Sequence, residues 1–478
     1  NTTGAQNVAL GYAALALNTT ANNNVAVGYN AAYSNTTGTQ NNAVGSSALF
    51  KTTTGSYNNA FGQGSLYYNT AGNKNTAIGD QALLSNTTAS DNTAVGYQAL
   101  YANTTGFYNV ATGGRNSINK TSLGDNTTGS YNIAYGNGAL GKNTTASFNS
   151  AVGYEALLTN TTGAYNTALG MQSLNQNTTA SSNTALGQGS MYANTTGGNN
   201  VGVGRSTLFN NTTGGSNTAV GMNALNANTT AGANVAVGQA ALQANTTGSN
   251  NTALGYWALL NNTTASDNTA VGWEAMITNT TGTTNTGLGR RALYGNTTGS
   301  SNTAVGNFAN GLNTTGSYNV AVGQQSLNSN TTASSNTAVG YYAGYSNTTG
   351  SPVTAMGYYT LNQNTTGVHN NAYGYRAMRF NTTGGYNTAL GGDALYSNTT
   401  ANNNTAIGYQ AGYSNTTGIM NTFIGEQTGR STTSSDNTFV GRTAGYYVTS
   451  GAKNTILGRY NGNQGGLDIR TSSNNIVL

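Results

Sequence analysis

The sequence predicts an all-β fold, a parallel β-solenoid (β-roll or β-helix) of about 27 coils with a 17-residue period. The main observation is a glycine that recurs every 17 residues from Gly11 to Gly425, with one 23-residue step after Gly113, and that closes at Gly441 and Gly458. A short fixed period of this kind is typical of stacked repeats. Helical hairpin repeats need roughly 34 residues or more, so a 17-residue unit favours short strands and turns.

Composition is the second observation. Charged residues make up 5% of the chain and cysteine is absent, whereas soluble globular domains carry roughly 25% charged residues. The basic residues are scattered singly and the net charge is only +5 over 478 residues, so neither a nucleic-acid-binding stripe nor a membrane-binding patch is predicted. No apolar run approaches the ~20 residues that span a bilayer. We therefore expect no nucleic-acid partner and no membrane insertion.

Each repeat predicts three elements, and positions are counted here from the recurring glycine as position 0. The stretch T-A-V-G-Y alternates and is β-branched, which predicts a strand. The following A-L-x-x predicts a second, weaker strand. N-T-T-G then predicts the turn, because Asn and Thr side chains bond nearby backbone groups and Gly permits tight bends. Stacking such coils pairs each strand with its copy in the next coil.

Two positions of the repeat are candidate structural sites. We expect the glycine at position 0 to lack room for a Cβ atom or to require a positive φ. The asparagine at position −4 is replaced once, by Val353, and predicts a stacked ladder of side chains. The representative residues are Gly28, Gly96, Gly153, Gly255, Gly340, Asn92, Asn268 and Asn336.

Alternation along the strand leaves two interpretations open. The residue at position −1 is large, as at Val27 and Leu169, and the residue at −2 is small, as at Ala26. If the large residue fills the coil interior, the small one points outward. A position that is always small and outward predicts close approach of another chain. A bend that places both residues inside is the alternative.

Departures from the repeat divide the chain into four parts. We expect a regular solenoid over 1–113 and 131–408, with an inserted loop in one coil over 114–130. Residues 409–478 predict atypical terminal coils and an exit segment, because alanine at position −2 gives way there to Phe423, Phe439 and Ile456.

The motifs resemble two families. The N-T-A-V-G-Y-x-A-L segments resemble repeats in the head domains of trimeric autotransporter adhesins, which implies a left-handed parallel β-roll and a homotrimer. The longer phrase N-T-A-V-G-Y-Q-A-L-Y-S-N-T-T-G, with the ending Leu467 to Leu478, is similar to tail-fibre-like proteins of bacteriophages. The resemblance implies an extracellular or virion-surface fibre.

No catalytic, cofactor-binding or metal-binding residues are predicted. The ten carboxylates are dispersed, and a calcium-binding β-roll would carry an Asp in every repeat. The single histidine, His369, has no Cys, His or Asp neighbour in its own coil. We therefore expect neither an enzyme nor a cofactor.

Three surface features remain as hypotheses. N-T-T formally matches the N-glycosylation acceptor, although a turn ladder explains it equally. Tyrosine often follows the glycine, as at Tyr341, which predicts either ladder packing or a track for a cell-surface glycan. The rows of threonine suggest ice binding as a remote alternative function. The candidate glycan acceptors are Asn35, Asn86, Asn160, Asn245 and Asn364.

We expect, in sum, the structural shaft of an extracellular fibre that presents a receptor-binding tip. The alternative is a bacterial cell-surface adhesin or appendage filament with the same fold, with or without glycosylated turns. Self-assembly, in the first place as a homotrimer, is the expected partnership.

Overall fold

The computed structural model describes residues 2–478 and confirms the fold class: the chain is an all-β parallel solenoid with a 17-residue period. Among these residues there is no helix. The coils form two compact units, one ending at Ala240 and one spanning Ala241–Leu478.

The first unit contains fourteen strands, one in each coil, and each pairs in parallel with the next. At ~4.8 Å per coil, this unit rises roughly 65 Å. The strands are β1 Val8–Leu10, β2 Val25–Val27, β3 Asn42–Val44, β4 Asn59–Phe61, β5 Thr76–Ile78, β6 Thr93–Val95, β7 Val110–Thr112, β8 Ile133–Tyr135, β9 Ser150–Val152, β10 Thr167–Leu169, β11 Thr184–Leu186, β12 Val201–Val203, β13 Thr218–Val220 and β14 Val235–Val237.

The second unit continues the same pattern up to β27 and then ends differently. A two-stranded antiparallel hairpin follows, β28 with β29, and β30 pairs in parallel with β27. The strands are β15 Thr252–Leu254, β16 Thr269–Val271, β17 Thr286–Leu288, β18 Thr303–Val305, β19 Val320–Val322, β20 Thr337–Val339, β21 Val353–Met356, β22 Asn370–Tyr373, β23 Thr388–Leu390, β24 Thr405–Ile407, β25 Thr422–Ile424, β26 Thr438–Val440, β27 Thr455–Leu457, β28 Asn463–Gln464, β29 Leu467–Asp468 and β30 Ile476–Val477.

The core lies inside each coil and is built from small and medium residues. Alanine at position −2 is fully buried, as at Ala43, and so are the alanine at +3 and the leucine at +4, as at Ala48 and Leu49. The asparagines at −4 and +7 complete the interior, as at Asn58 and Asn69. A 17-residue coil is therefore narrow, and in most coils the residue at +4 is the one large aliphatic side chain that is fully buried.

The expected orientation of the strand is wrong. The large residue at position −1 lies on the outer surface: Leu169 is 49% exposed and Ile78 is 43% exposed, whereas Ala26 at position −2 is 0% exposed. A three-residue strand turns only its middle residue inward. The small residue is therefore required by the coil's own interior, where it faces the leucine, and it gives no sign of another chain.

The second strand predicted for A-L-x-x is also wrong. Positions +2 and +4 have positive φ, for example +57° at Gln81 and +51° at Leu83, so this segment follows a tightly bent path rather than an extended one. It still bonds to the next coil, since Leu83 N–H donates to the carbonyl of Ala99 at 2.9 Å. Left-handed leucine costs about 1–2 kcal/mol per residue, and burial and the intercoil bonds offset that cost.

The extra six residues of the long coil lie between Gly113 and Ser122. Leu123 is fully buried and takes position +4, and Asn126 rejoins the ladder by donating to Asn103 Oδ1 at 2.8 Å. Within the loop, Asn116 Oδ1 accepts from the backbone N–H of Lys120 at 2.7 Å. The loop is therefore a local excursion that leaves the coil stack in register.

Candidate functional site

The recurring glycine lies where successive coils approach most closely. Gly28 has φ +135°, and a Cβ atom built there would lie 2.6 Å from the carbonyl oxygen of Gly45. The same conformation occurs at Gly96, Gly153, Gly255 and Gly340, with φ between +126° and +139°. An L side chain at these positions would both strain the backbone and strike the next coil.

The asparagine at position −4 joins three coils at once. Asn92 donates its backbone N–H to Asn75 Oδ1 at 3.0 Å and its Nδ2 to the Gly106 carbonyl at 2.9 Å, and its Oδ1 accepts from Asn109 N–H. This ladder is fully buried, where an unmade hydrogen bond would cost about 1–3 kcal/mol.

The other two representatives of position −4 differ slightly. Asn268 repeats the pattern, with bonds of 3.0 Å to Asn251 Oδ1 and to the Gly282 carbonyl. Asn336 donates its Nδ2 to Asn330 Oδ1 at 3.4 Å instead, one coil before Val353 replaces the ladder residue. Val353 N–H still donates to Asn336 Oδ1 at 2.9 Å.

The candidate glycan acceptors form a second buried ladder at position +7. Their exposed fraction is at most 1% in every case, and Nδ2, the atom that would carry a sugar, donates to the carbonyl three residues on, at 2.9 Å in Asn35 and Asn160. In the folded coil this atom is inaccessible to a transferase. Glycosylation therefore remains a prediction that requires the chain to be modified before it folds. The remaining acceptors, Asn86, Asn245 and Asn364, make the same contact.

The turn threonines divide into two rows. The hydroxyl of the first threonine donates to a carbonyl of the next coil, as from Thr87 to Thr104 at 3.1 Å. The second threonine is exposed, as at Thr88. One hydroxyl per turn is therefore committed to coil stacking, and ice binding remains an untested prediction.

The outer face consists of positions −3 and −1 of every strand. In all 27 coils these two positions lack Asp, Glu, Lys and Arg. The charged residues lie instead in the segment after the glycine, in the turn and in the C-terminal tail. Within each unit, the outer face is thus an uncharged surface made mostly of threonine and aliphatic side chains, with Leu254 46% and Leu390 48% exposed.

Tyrosines after the glycine stack from coil to coil. Tyr341, Tyr358 and Tyr375 form one such column, with ring centroids 5.4 and 5.5 Å apart. Desolvation raises the pKa of the Tyr341 and Tyr358 hydroxyls, and the neighbouring phenol of Tyr359 raises the pKa of both further. Stacked rings cover each other's faces, which favours ladder packing for the interior of this column.

Ion pairs follow the same intercoil geometry. Arg376 donates through two nitrogens to the buried Asp393, at 2.9 and 3.0 Å, and Arg291 pairs with Glu274 at 2.7 Å. The hydrogen bond to Asp393 raises the pKa of Arg376. His369 stacks on Tyr386 with centroids 4.9 Å apart.

Two surface grooves were not anticipated from the sequence. The first, of about 240 Å³, is lined in part by Gly64, Tyr67 and Tyr68, and the second, of about 160 Å³, by Tyr446 and Tyr447 among others. In both coils the tyrosines occupy positions +5 and +6. Adjacent tyrosines at these positions occur in only these two repeats, which is the signal that the sequence offers.

Across residues 2–478, no cluster of three or more His, Cys, Asp or Glu side chains is arranged to hold a metal ion. The same residues include no helix with the length and apolarity needed to cross a membrane. No protein-family model matches the chain, and no curated protein sequence gives a significant match.

Proposed function

We propose that this chain is the structural shaft of an extracellular fibre and that its copies associate through the outer face of the strands. The observation that carries the proposal is the exposure of large aliphatic side chains at position −1 in coil after coil, with no charge at −3 or −1. Contiguous exposed apolar surface above a few hundred Å² is a mark of an interaction site.

Intercoil bonding supports the mechanical part of the proposal. Each coil bonds to the next through the strand, the segment after the glycine, both asparagine ladders and the threonine hydroxyls. In such repeats stability is the sum of the coils and their interfaces. A shaft of this kind resists local opening because each coil is held by two neighbours.

A second copy of the chain is the partner that best fits the outer face. Interface cores are depleted of charge and enriched in apolar residues, and this face has both properties along each unit. The resemblance to trimeric adhesin heads and phage fibres implies three chains and a location on a virion or outside the cell. A cell-surface adhesin or appendage filament is the alternative within the same class.

Measurement of mass tests the association directly. We expect sedimentation equilibrium of the full chain to give three times its 48.5 kDa. A triple variant, Leu169→Lys, Leu254→Lys and Leu390→Lys, places charges on side chains that are already exposed within one chain, so it is expected to fold and to dissociate.

Electron microscopy tests the shaft role separately. The proposal requires an extended particle. Its mass per unit length should equal that of three chains lying side by side. A monomeric wild-type chain at high concentration would contradict self-association, and a compact particle would contradict the shaft. An anchor or secretion signal in the flanking sequence would favour the adhesin over a virion fibre.

A further inference from the structure

The two grooves share a pair of adjacent tyrosines that no other coil carries at positions +5 and +6. Tyr67 and Tyr68 meet edge to face, with centroids 4.7 Å apart and an interplanar angle of 68°. Tyr446 and Tyr447 meet in the same way, at 4.7 Å and 75°. The same pair of residues at the same positions therefore produces the same concave aromatic corner in each unit.

In the first unit, a missing side chain opens the groove. Gly64 occupies position +2, and a Cβ atom there would find only Leu84 Cδ1 at 3.4 Å and Gln81 Cγ at 3.7 Å. Two other glycines at position +2 are more tightly enclosed. A Cβ atom at Gly189 would lie 3.2 Å from the ring of Phe209, and one at Gly138 would lie 2.7 Å from Asn116 Nδ2.

The lining combines aromatic carbon with neutral hydrogen-bonding groups. Around the first tyrosine pair lie the amides of Gln63 and Gln81, and around the second lie Thr443 and Asn461. Gln81 Oε1 accepts from Gln98 Nε2 at 2.6 Å, so the amino group of Gln81 is left to donate. No residue that lines either groove is charged.

Size and chemistry together indicate the ligand class. Volumes of about 240 and 160 Å³ fall below the roughly 300–1,000 Å³ of sites for drug-sized molecules. A pyranose ring has an apolar C–H face that packs on an aromatic ring and hydroxyls that exchange hydrogen bonds with amides. We propose that each groove binds one neutral pyranose ring of a glycan.

Binding in the grooves does not rest on the proposed self-association. The grooves are formed by positions +1 to +6, whereas the outer face is formed by positions −3 and −1 of the strand. A monomeric chain would retain both grooves. The result of the binding experiment therefore stands whatever the oligomeric state proves to be.

The test is saturation-transfer NMR on the full chain with methyl glucoside, methyl galactoside and N-acetylglucosamine at millimolar concentration. We expect transfer to the ring protons of at least one of these sugars. N-acetylneuraminic acid, which is anionic, serves as the comparison and is expected to bind the first groove more weakly, because no charged residue lines it. The second groove is less discriminating, because the Arg430 guanidinium lies 5.6 Å from the ring centroid of Tyr446.

Variants assign the signal to the grooves. Gly64→Gln fills the first groove with the residue that stands at +2 in the next two coils, where Gln81 and Gln98 have φ of +57° and +55°, close to the +64° of Gly64. Tyr447→Ala removes one wall of the second groove. We expect the double variant to raise the Kd about tenfold or more, equivalent to about 1.4 kcal/mol.

A matched control separates groove binding from general loss of aromatic surface. Tyr57 is 53% exposed and lines neither groove, so Tyr57→Ala is expected to leave the signal unchanged. Tyr68→Ala, at a 46% exposed residue, gives a second test of the first groove if Gly64→Gln misfolds. The proposal is overturned by absence of transfer to all three neutral sugars, by unchanged binding in the double variant, or by equal loss in Tyr57→Ala.

Discussion

The regular coils of the second unit and the coils near its end fill the same interior space from different positions of the repeat. In the regular coils, alanine at position −2 faces leucine at +4, and both are fully buried, as at Ala389 and Leu395. Near the end, Phe439 takes position −2 and Gly445 takes position +4, and the phenyl ring is fully buried. The ring occupies the space of the missing leucine, because a Cβ atom at Gly445 would overlap it.

The swap between positions −2 and +4 shows that the coil requires a constant side-chain volume in its interior, and that either position can supply it. The same compensation occurs on a smaller scale in the first unit. Met191 at +4 precedes Gly202 at −2 of the following coil, and a Cβ atom at Gly202 would lie 2.9 Å from Met191 Cε. Close packing of this kind makes one methylene group matter.

The largest effect is expected when only one residue of the Phe439–Gly445 pair is changed. Phe439→Ala should destabilise its coil by about 3–5 kcal/mol, because Gly445 has no side chain to fill the cavity. Gly445→Leu alone should also destabilise the coil, by about 1–3 kcal/mol, because the interior is then overfilled. Hydrogen–deuterium exchange of residues 438–458 in the full chain measures both effects.

The double variant tests whether the alanine–leucine pair and the phenylalanine–glycine pair are equivalent because they fill the same volume. Phe439→Ala with Gly445→Leu recreates the regular pair, and leucine is tolerated there because regular coils hold it at φ near +50°. We expect the double variant to recover most of the lost protection. Additive losses in the double variant would show that the two interiors are not equivalent.

A regular coil with a polar interior residue offers the next largest effect. Asn310 takes position +4 between Leu293 and Leu327, is fully buried, and has no hydrogen-bond partner for Nδ2 or Oδ1 within residues 2–478. Asn310→Leu should stabilise this coil by about 2 kcal/mol, since it removes an unsatisfied amide and completes the leucine column. Slower amide exchange in residues 303–327 would show the gain.

The control for Asn310 is an asparagine whose bonds are made. Asn302 at position −4 donates to Asn285 Oδ1 and to the Gly316 carbonyl, both at 2.9 Å. Asn302→Leu is expected to destabilise the coil by about 2 kcal/mol or more. If both leucine variants shift stability in the same direction, hydrogen bonding does not distinguish the two positions.

A gap in the ladder at position +7 gives a smaller effect. Thr52 replaces asparagine there, and both its Oγ1 and the Oδ1 of Asn35 lack partners in the described part of the chain. Thr52→Asn should restore the donor to Asn35 and add an acceptor for Asn69, which gains about 1 kcal/mol. Thermal unfolding together with exchange of residues 35–69 checks this, and Thr52→Val, which restores neither bond, is the matched variant.

The smallest effect is expected outside the coils, at the β28–β29 hairpin. The Arg470 side chain and its backbone N–H hold the pKa of Asp468 below its ordinary value of 3.8. A lowered folded-state pKa means that this contribution to stability is complete above the ordinary value and is lost as the pH falls through the folded value. Carbon-13 shifts of the Asp468 carboxyl, followed down to about pH 2, measure the titration.

Arg470→Gln is the matched variant for this titration. It removes the charge and most of the bonds to Asp468 while keeping side-chain length, so the midpoint should move up toward the ordinary value. Because both side chains are about half exposed, Arg470→Gln is not expected to alter the coils. An unchanged midpoint would mean that the ion pair is not formed in solution.

Much of the architecture was predictable because the repeat itself encodes it. The period, the strand that ends at the glycine and the parallel register follow from identical segments that must satisfy their backbone groups in the same way. For Asn92 and its equivalents, a ladder was the natural expectation from recurrence alone. The left-handed conformation of Leu83 was not predictable, because leucine has no local preference for positive φ and adopts it only where burial and intercoil bonds hold it.

The grooves were harder to predict than the ladders. Tyr67 and Tyr68 stand at positions +5 and +6, which vary from repeat to repeat, so the sequence gives them no special weight. The missing side chain at Gly64 can be interpreted only when the positions of its neighbours are known. Position +2 holds glycine in two other coils as well, where Phe209 and Asn116 approach it more closely than Leu84 approaches Gly64. The sequence shows which residues are unusual, but it does not show beside which glycine a surface groove forms.

The amino-acid sequence by itself determined that equivalent residues lie above one another, since a constant 17-residue spacing repeats the same hydrogen bonds in every coil. Only the tertiary structure decided which side of the strand is inside. Alternation gives two faces but does not label them, and a narrow coil accepts alanine opposite leucine while it expels the larger valine or leucine beside the glycine. In the regular coils, the size of the interior rather than hydrophobicity therefore set the orientation of the strand.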